Sequence, residues 1–105
     1  MQEKYAEVEP ERAAIDALQG AAVVEFGAPW CGFCKAAQPL IAAAFAPYSN
    51  LRHFKVEDGK GRRLGRSFRV KLWPTLIFMK DGKEVGRVVR PRDVTALSDE
   101  LRRIA

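Results

Sequence analysis

The sequence predicts an α/β fold in which helices cover a central β-sheet. Residues 21–28 are apolar on both faces of a strand except at Glu25, which is the pattern of a buried central strand. Residues 93–104 repeat their apolar side chains at the spacing of an amphipathic helix. Asp81 and Gly82 separate two strand-like segments and form a strong hairpin signal. Together these observations predict helices and strands packed around one core.

Length and composition predict a single domain over residues 1–105. The chain has 105 residues, of which 48% are hydrophobic, and it carries a formal net charge of +5. A chain of this size can bury a core without a metal or a disulfide to support it. The first residues lack the basic and apolar regions of a secretory signal, and no apolar run could span a bilayer. We therefore expect a cytoplasmic protein that does not bind membranes, although the mature form of an exported protein would look the same. We also expect a monomer.

The first half of the chain alternates strand-like and helix-like segments. The expected elements are a short edge strand at 5–8, a helix from Pro10 to Gly20, the strand at 21–28, a helix at 31–45 and a strand at 51–56. Pro10 suits the first turn of a helix, because the N–H that it lacks has no partner there. Gly20 should stop this helix, and Pro39 should kink the next one. Strands separated by a helix predict parallel pairing in this half.

The second half is predicted to end in an antiparallel hairpin and a helix. Its expected elements are a short helix at 60–68, strands at 74–79 and 84–89, and a helix at 93–104. Pro74 opens its strand, a position where the missing backbone donor is tolerated. Because only Asp81 and Gly82 form the turn, the strands on either side of it should pair antiparallel.

The only two cysteines, Cys31 and Cys34, stand between a predicted strand and a predicted helix. Strand, turn and helix is the context in which C-x-x-C indicates a redox pair. A helix N-terminus at Cys31 would favour the thiolate, which is the nucleophilic form of the side chain. Gly32 leaves room for a substrate sulfur to approach. We interpret the pair as catalytic; the alternative is two inert buried thiols or a static disulfide.

Three polar residues in the predicted strands could belong to the site. Glu25 should be buried, since its neighbours are apolar on both faces of the strand. Lys55 could lie near Glu25 on an adjacent strand or could face solvent. We expect His53 to be a solvated strand residue without a chemical role. No metal site is expected, because there is no second C-x-x-C and His53 has no partner at a zinc-like spacing.

A basic segment, residues 60–71, contains six basic residues and no acidic one. These are Lys60, Arg62, Arg63, Arg66, Arg69 and Lys71. A solvated helix face explains such a run, and a docking patch for an acidic partner is the functional alternative. Nucleic-acid binding is disfavoured, because the segment holds a single aromatic residue, Phe68, and no recognisable binding motif.

Two stretches of the sequence resemble the thioredoxin family. One is Trp30-Cys31-Gly32-Phe33-Cys34-Lys35, with Glu25 before it and Pro39 after it; the other is Val70-Lys71-Leu72-Trp73-Pro74-Thr75, with Asp81-Gly82 after the next strand. The resemblance extends over nearly the whole chain, in order and at the family's spacing. It implies the thioredoxin fold, a central mixed β-sheet flanked by helices, and it implies thiol–disulfide exchange.

The resemblance also implies roles for individual residues. Cys31 would attack a substrate disulfide, Cys34 would resolve the mixed disulfide, and Glu25 would relay a proton for Cys34. Pro74 matches the family's cis-proline, which shapes the peptide groove beside the cysteines. The residues expected to contact substrate are Trp30, Gly32, Phe33, Trp73 and Thr75, although the two tryptophans could instead be core residues. The family implies no cofactor but an external reductant, with disulfide-containing proteins and a recycling reductase as partners.

Four positions depart from the usual family pattern. Phe33 stands where proline is commonest, Glu25 is one methylene longer than the usual aspartate, Trp73 is bulkier than the common residue, and Pro91 stands where a groove glycine is common. In this family the two residues between the cysteines, here Gly32 and Phe33, tune the reducing power. Phe33 therefore leaves the direction of electron flow open. We expect a reductase of protein disulfides. The alternatives are a disulfide oxidase or isomerase, and a binding module that uses residues 60–71.

Overall fold

A mixed four-stranded β-sheet forms the centre of the molecule, in a computed structural model that describes residues 1–105. The strands are β1 (Ala21–Gly27), β2 (Arg52–Glu57), β3 (Thr75–Lys80) and β4 (Lys83–Val89), in the spatial order β2-β1-β3-β4. β1 pairs parallel with β2 and antiparallel with β3, and β3 pairs antiparallel with β4. The mixed sheet with flanking helices confirms the predicted fold class.

Four helices cover the two faces of this sheet. They are α1 (Arg12–Asp16), α2 (Gly32–Phe45), α3 (Arg63–Ser67) and α4 (Val94–Ile104). Side chains of β1 alternate between the faces: Val23 packs with α2 and α4, whereas Val24 and Phe26 pack with α1 and α3. Because both faces are covered, β1 is buried along almost its whole length, as its apolar run predicted. No helix combines the length and the apolar character that a membrane crossing requires.

The first helix is shorter than predicted. α1 begins two residues after Pro10 and ends at Asp16, well before Gly20. Glu9 sends its carboxylate to the start of α3, where it accepts a hydrogen bond from the backbone N of Leu64 at 3.0 Å. A residue that precedes proline also disfavours helical backbone angles. The chain around Pro10 therefore stays extended, and the helix starts later.

The predicted edge strand at 5–8 is reduced to one parallel bridge between Ala6 and Val56. The backbone N of Ala6 donates to the Lys55 carbonyl at 2.8 Å, and the side-chain amide of Gln2 donates to the same carbonyl at 3.1 Å. A side chain thus takes part of the pairing that a longer strand would have made with β2. The segment is attached to the sheet without extending it.

The other elements lie close to their predicted bounds. β1 to β4, α2 and α4 differ from the predicted ranges by one residue at most at each end. α3 is shorter than predicted, because Gly59 and Gly61 adopt positive φ angles of 147° and 81° and keep the chain out of helical geometry until Arg62. Pro39 lies inside α2 without ending it.

Candidate active site

The two cysteines lie where β1 leads into α2. Cys31 is the N-cap residue of α2, and its sulfur accepts a hydrogen bond from the backbone N of Cys34 at 3.2 Å. Both thiols are free, and Cys31 is 9% exposed whereas Cys34 is 1% exposed. The helix N-terminus points a backbone donor and the positive end of its dipole at the Cys31 sulfur. This end of α2 is suited to hold negative charge on that sulfur.

Cys34 lies deeper, in the first turn of α2. Burial, followed by the neighbouring Cys31 sulfur, raises the pKa of Cys34 to about 11 from an ordinary value of 9.0. The Cys34 thiol therefore keeps its proton at neutral pH. An outer sulfur that can hold charge beside an inner, protonated thiol is an arrangement suited to attack by one cysteine and resolution by the other.

Glu25 is fully buried on the α2 side of β1, as its apolar neighbours predicted. Its two carboxylate oxygens have different partners: Oε1 lies 2.9 Å from Nε2 of His53, and Oε2 accepts a hydrogen bond from the side-chain amide of Gln38 at 3.0 Å. The same Gln38 amide also donates to the backbone carbonyl of Cys34 at 3.0 Å. Gln38 thus joins the buried acid to the turn of α2 that carries the inner cysteine.

The prediction for His53 is wrong, because this side chain is buried and bound to Glu25. The His53 ring is 1% exposed and packs edge-on against the Phe45 ring, with centroids 4.9 Å apart. Its Nδ1 accepts a hydrogen bond from the backbone N of Gln2 at 3.0 Å. An Nδ1 that accepts leaves the proton on Nε2, so the ring is a neutral imidazole that donates to Glu25. The apolar–polar alternation of this strand failed as a guide because both faces of β2 are covered.

Lys55 is buried beside Glu25 on the neighbouring strand, in the register Glu25–Lys55. The two side chains do not form a direct ion pair: Lys55 Nζ donates to the side-chain oxygen of Gln38 at 2.9 Å and to the Glu3 carbonyl at 2.8 Å. Gln38 therefore stands between the two charges. Its position four residues after Cys34, on the same face of α2, is the sequence signal that could have identified it.

Aromatic side chains surround the exposed edge of Cys31. Trp30 is 68% exposed and Phe33 is 58% exposed. Trp73 meets Trp30 edge to face with ring centroids 5.4 Å apart, and its indole N donates to the Asp58 carboxylate at 2.9 Å. Trp73 also packs against the small apolar cluster that contains both cysteines. The structure thus places Trp73 against the cysteines and Trp30 against Trp73, and it leaves the Phe33 ring exposed within the cysteine motif.

Arg90 attaches the loop after β4 to the aromatic surface, the name used here for the side chains of Trp30, Phe33 and Trp73. Its guanidinium lies 3.8 Å above the Phe33 ring, and its Nε donates to the Trp73 carbonyl at 2.9 Å. Its backbone N donates to the Pro74 carbonyl at 2.9 Å. Arg90 thus connects Phe33 with Trp73, and the contact with its guanidinium fixes the Phe33 ring although that ring is exposed.

The remaining predicted residues take different positions. The Trp73–Pro74 peptide bond is cis. Thr75 is 1% exposed, and its hydroxyl donates to the Leu72 carbonyl at 2.6 Å, so its side chain secures the loop rather than facing a substrate. A side-chain carbon at Gly32 would meet no atom within 4 Å, so the surface there is open. No three His, Cys, Asp or Glu side chains converge as a metal site would require.

The basic segment contributes to a cavity that Trp73 also lines. This cavity, of about 630 Å³, is called the basic cleft here, and its lining residues are Asp58, Gly59, Lys60, Arg62, Arg66, Arg69, Val70, Lys71 and Trp73. Five of the six basic residues of 60–71 line it. Arg63 lies apart from them, in a separate cavity beside Glu9. The charge run therefore concentrates beside the aromatic surface instead of spreading around α3.

Comparison with known proteins agrees with this geometry. The family model described as Thioredoxin matches residues 6–103. The solved structure of thioredoxin 2 from Pseudomonas aeruginosa PAO1, in its reduced form, superposes with a TM-score of 0.87 and 52% sequence identity, covering 99% of this chain and 96% of that one. Among curated proteins, the thioredoxin of Chlamydia trachomatis serovar D is 36% identical over 90 residues, covering 86% of this chain and 88% of its own length. Thioredoxin-2 of Saccharomyces cerevisiae is 42% identical over 67 residues, 64% of each chain.

Proposed function

This chain belongs to the thioredoxin family, and from that premise we propose that it reduces disulfide bonds in protein substrates. Family membership and the close cysteine pair support thiol–disulfide oxidoreductase activity. The observation that carries the finer proposal is the placement of Cys31. Its sulfur lies at the N-terminus of α2 and accepts a backbone hydrogen bond, and Cys31 is the more exposed of the two cysteines and lies beside Trp73.

In the first step, the Cys31 thiolate attacks one sulfur of a substrate disulfide. The substrate S–S bond breaks, a bond between Cys31 and substrate forms, and the released substrate thiolate takes a proton from water. The α2 N-terminus stabilises the charge on Cys31 until the attack. We assign substrate contacts to Trp30, Phe33 and Trp73, with Pro74 shaping the groove behind them.

In the second step, Cys34 gives up its proton and attacks the Cys31 sulfur. The mixed disulfide breaks, the second substrate thiolate leaves with a proton from solvent, and a Cys31–Cys34 disulfide remains. We propose that Glu25 receives the Cys34 proton, since each of its oxygens keeps a free lone pair beside its hydrogen bond. A cleft of about 130 Å³, lined by Cys34, Gln38 and Lys55 among others, leaves room for water on this route.

The cycle needs an external supply of electrons, because two cysteines hold only one electron pair. Members of this family act on protein disulfides and are recycled by a reductase, and we propose the same pairing of partners here. No cofactor is required by this scheme, and it operates as readily in a monomer. An oxidase or isomerase uses the same two steps in another direction, so the reduction potential decides between them.

A turnover assay tests the proposed activity. The chain, a Cys31→Ser variant and a Cys34→Ser variant are each given an insulin-type disulfide substrate and excess dithiol reductant. Reduction above the rate of the dithiol alone, lost in both variants, supports the proposal. Equal rates for all three proteins would overturn it and would favour a binding module. A separate measurement of the Cys31–Cys34 potential assigns the direction: a reducing value supports a reductase, and a value typical of oxidants contradicts it.

We further propose that the basic cleft receives acidic segments of the substrate. The guanidinium of Arg62 lies 3.8 Å from the carboxylate of Glu57. The other basic residues of the cleft form no salt bridge. The one acidic residue of the cleft, Asp58, is bound by the Trp73 indole. The cleft thus offers positive charge without an ion-pair partner. Trp73, which lines the cleft, also packs against the two cysteines.

The backbone of Arg69 supports this assignment. Arg69 ends the turn after α3 with a φ of 57°, in the left-handed region that favours glycine. A side chain there costs about 1 kcal/mol in backbone energy. An arginine at a position that glycine would occupy more stably suggests that its charge in the cleft is useful.

A further inference from the structure

The N-terminal segment, residues 2–6, closes the inner side of the site. Four hydrogen bonds attach it to β2: Gln2 N to His53 Nδ1, Gln2 Nε2 to the Lys55 carbonyl, Lys55 Nζ to the Glu3 carbonyl, and Ala6 N to the Lys55 carbonyl. Both β2 residues that take part, His53 and Lys55, lie beside Glu25. The segment is therefore held in a defined position over the buried polar groups.

Tyr5 points from this segment toward the Cys34 sulfur. The Tyr5 hydroxyl and the Cys34 sulfur both border the point that a side-chain carbon at Gly27 would occupy, at 2.9 Å and 2.7 Å. On its other side, the Tyr5 ring lies beneath Lys55 Nζ, 4.7 Å from the ring centroid. Burial, and then the negative charge that Cys34 and Glu25 can carry, raises the pKa of Tyr5 well above its usual value. The hydroxyl therefore keeps its proton and can act only as a donor or neutral acceptor.

We propose that the Tyr5 hydroxyl stabilises the Cys34 thiolate that forms when the mixed disulfide is resolved. The inference rests on the proposed function, since it concerns the second step of that cycle. Cys34 releases its proton to Glu25, as proposed for the second step, and Tyr5 directs its O–H at the new thiolate while keeping its own proton. The thiolate then attacks the Cys31 sulfur. The bonds that form and break are those of the resolving step, and no further reactant is needed.

The surroundings of Cys34 explain why such a donor matters. The titratable and charged groups that face it are Cys31, Lys35, Glu25, Lys55 and Tyr5. Cys31 takes the backbone donor at the helix start, and the Lys55 ammonium is engaged by Gln38 and the Glu3 carbonyl. A buried thiolate needs hydrogen-bond donors. The backbone of Ala28 supplies one to Cys34, and Tyr5 supplies a second from the N-terminal segment.

A two-phase reaction with an aromatic disulfide reagent such as dithionitrobenzoate tests this role. Attack by Cys31 releases one coloured thiolate, and resolution by Cys34 releases the second, so stopped-flow absorbance separates the steps. We expect Tyr5→Phe to slow the second phase about tenfold at neutral pH, the value of one hydrogen bond to a charged group. The first phase should be unchanged. In a pH series, the midpoint of the second phase should rise by about one unit, with the same limiting rate at alkaline pH.

The chain offers a matched control, because its only other tyrosine is Tyr48. Tyr48→Phe removes the same hydroxyl far from the cysteines, and it should leave both phases unchanged; thermal unfolding of both variants establishes that they are folded. An unshifted midpoint in Tyr5→Phe, or a limiting rate that falls while the midpoint stays, would overturn the proposal. If the unmodified chain itself gives no second phase, the resolving step fails, and the proposed function fails with it.

Discussion

At the scale of single residues, the buried polar groups around Glu25 form two chains of hydrogen bonds in which each group donates toward the Glu25 carboxylate. The backbone N of Gln2 donates to His53, which donates to Glu25; Lys55 donates to Gln38, which also donates to Glu25. These four bonds form two chains of donors, and both chains end at the Glu25 carboxylate, which only accepts. The burial of Glu25 is thus compensated at both oxygens, as a buried carboxylate requires.

The direction of these bonds predicts the effect of Glu25→Gln. An amide at this position would place an N–H₂ group against either the His53 donor or the Gln38 donor. We expect the free energy of unfolding to fall by about 1–3 kcal/mol, the cost of a mismatched buried hydrogen bond. If the buried Glu25 carboxylate had no hydrogen-bond partners, Glu25→Gln would instead raise the free energy of unfolding, because it would remove an unpaired buried charge. Chemical denaturation of the two proteins measures the change.

The same variant tests the proposed proton transfer from Cys34. An amide cannot accept this proton, so resolution should slow about tenfold or more, while attack by Cys31 keeps its rate. Glu25→Asp is the control that retains a carboxylate, and its resolution rate should exceed that of Glu25→Gln. Resolution that is as fast in Glu25→Gln as in the unmodified chain would leave Glu25 with a structural role only.

At the scale of secondary-structure elements, the hairpin between β3 and β4 is fastened to the end of α1. Asp81 and Gly82 both adopt positive φ angles, 51° and 77°, as a two-residue hairpin turn requires. The Asp81 carboxylate accepts a hydrogen bond from the backbone N of Gly20 at 2.7 Å. A side-chain carbon at Gly82 would lie 1.9 Å from the backbone oxygen of Asp16. The close contact leaves no room for any residue but glycine.

Two glycines with the same backbone angle separate these effects. Gly20 has a φ of 78°, but a side-chain carbon there would meet no atom within 4 Å. Gly20→Ala should therefore cost only the backbone term, about 1 kcal/mol. Gly82→Ala adds the collision with α1, and we expect a loss of more than about 2 kcal/mol in the free energy of unfolding. Equal losses would show that the hairpin yields to the added carbon without cost.

Most elements could be predicted because their signals are local. The apolar run of β1, the two-residue turn and the helical spacing in α4 each depend on neighbours in sequence. The burial of His53 depends on α2 and on the N-terminal segment, neither of which leaves a periodic signal at that strand. The cysteine motif could identify the reactive pair, and helical spacing could place Gln38 one turn after Cys34. The contact of Tyr5 with Cys34 and those of Gln38 with Glu25 and Lys55 follow only from the packing of distant segments.

At the scale of the whole molecule, the net charge of +5 is unevenly distributed. The sequence places six basic residues between 60 and 71, and the fold turns five of them into the basic cleft. Arg90, which also lies near the groove, is already engaged by Phe33 and Trp73. Trp73 therefore borders both the unpaired charge of the basic cleft and the small apolar cluster that contains Cys31. An acidic segment bound there would place a disulfide a short distance along the same chain at the cysteine surface.

If the basic cleft binds substrate, we expect the preference for acidic disulfide peptides to depend on where the basic residues lie and not only on the net charge of the protein. Replacing both Arg66 and Arg69 by glutamine should slow the reduction of an acidic disulfide peptide about threefold at low salt, as expected for two partly exposed charges. The rate for a neutral peptide should hardly change, and high salt should remove the difference. Glutamine at Arg63 and Arg52, which lie outside the cleft, removes the same charge and serves as the control. Second-order rates for both peptides and both double variants decide the matter: if the two variants slow the acidic peptide equally, net charge alone attracts substrates and the basic cleft has no docking role.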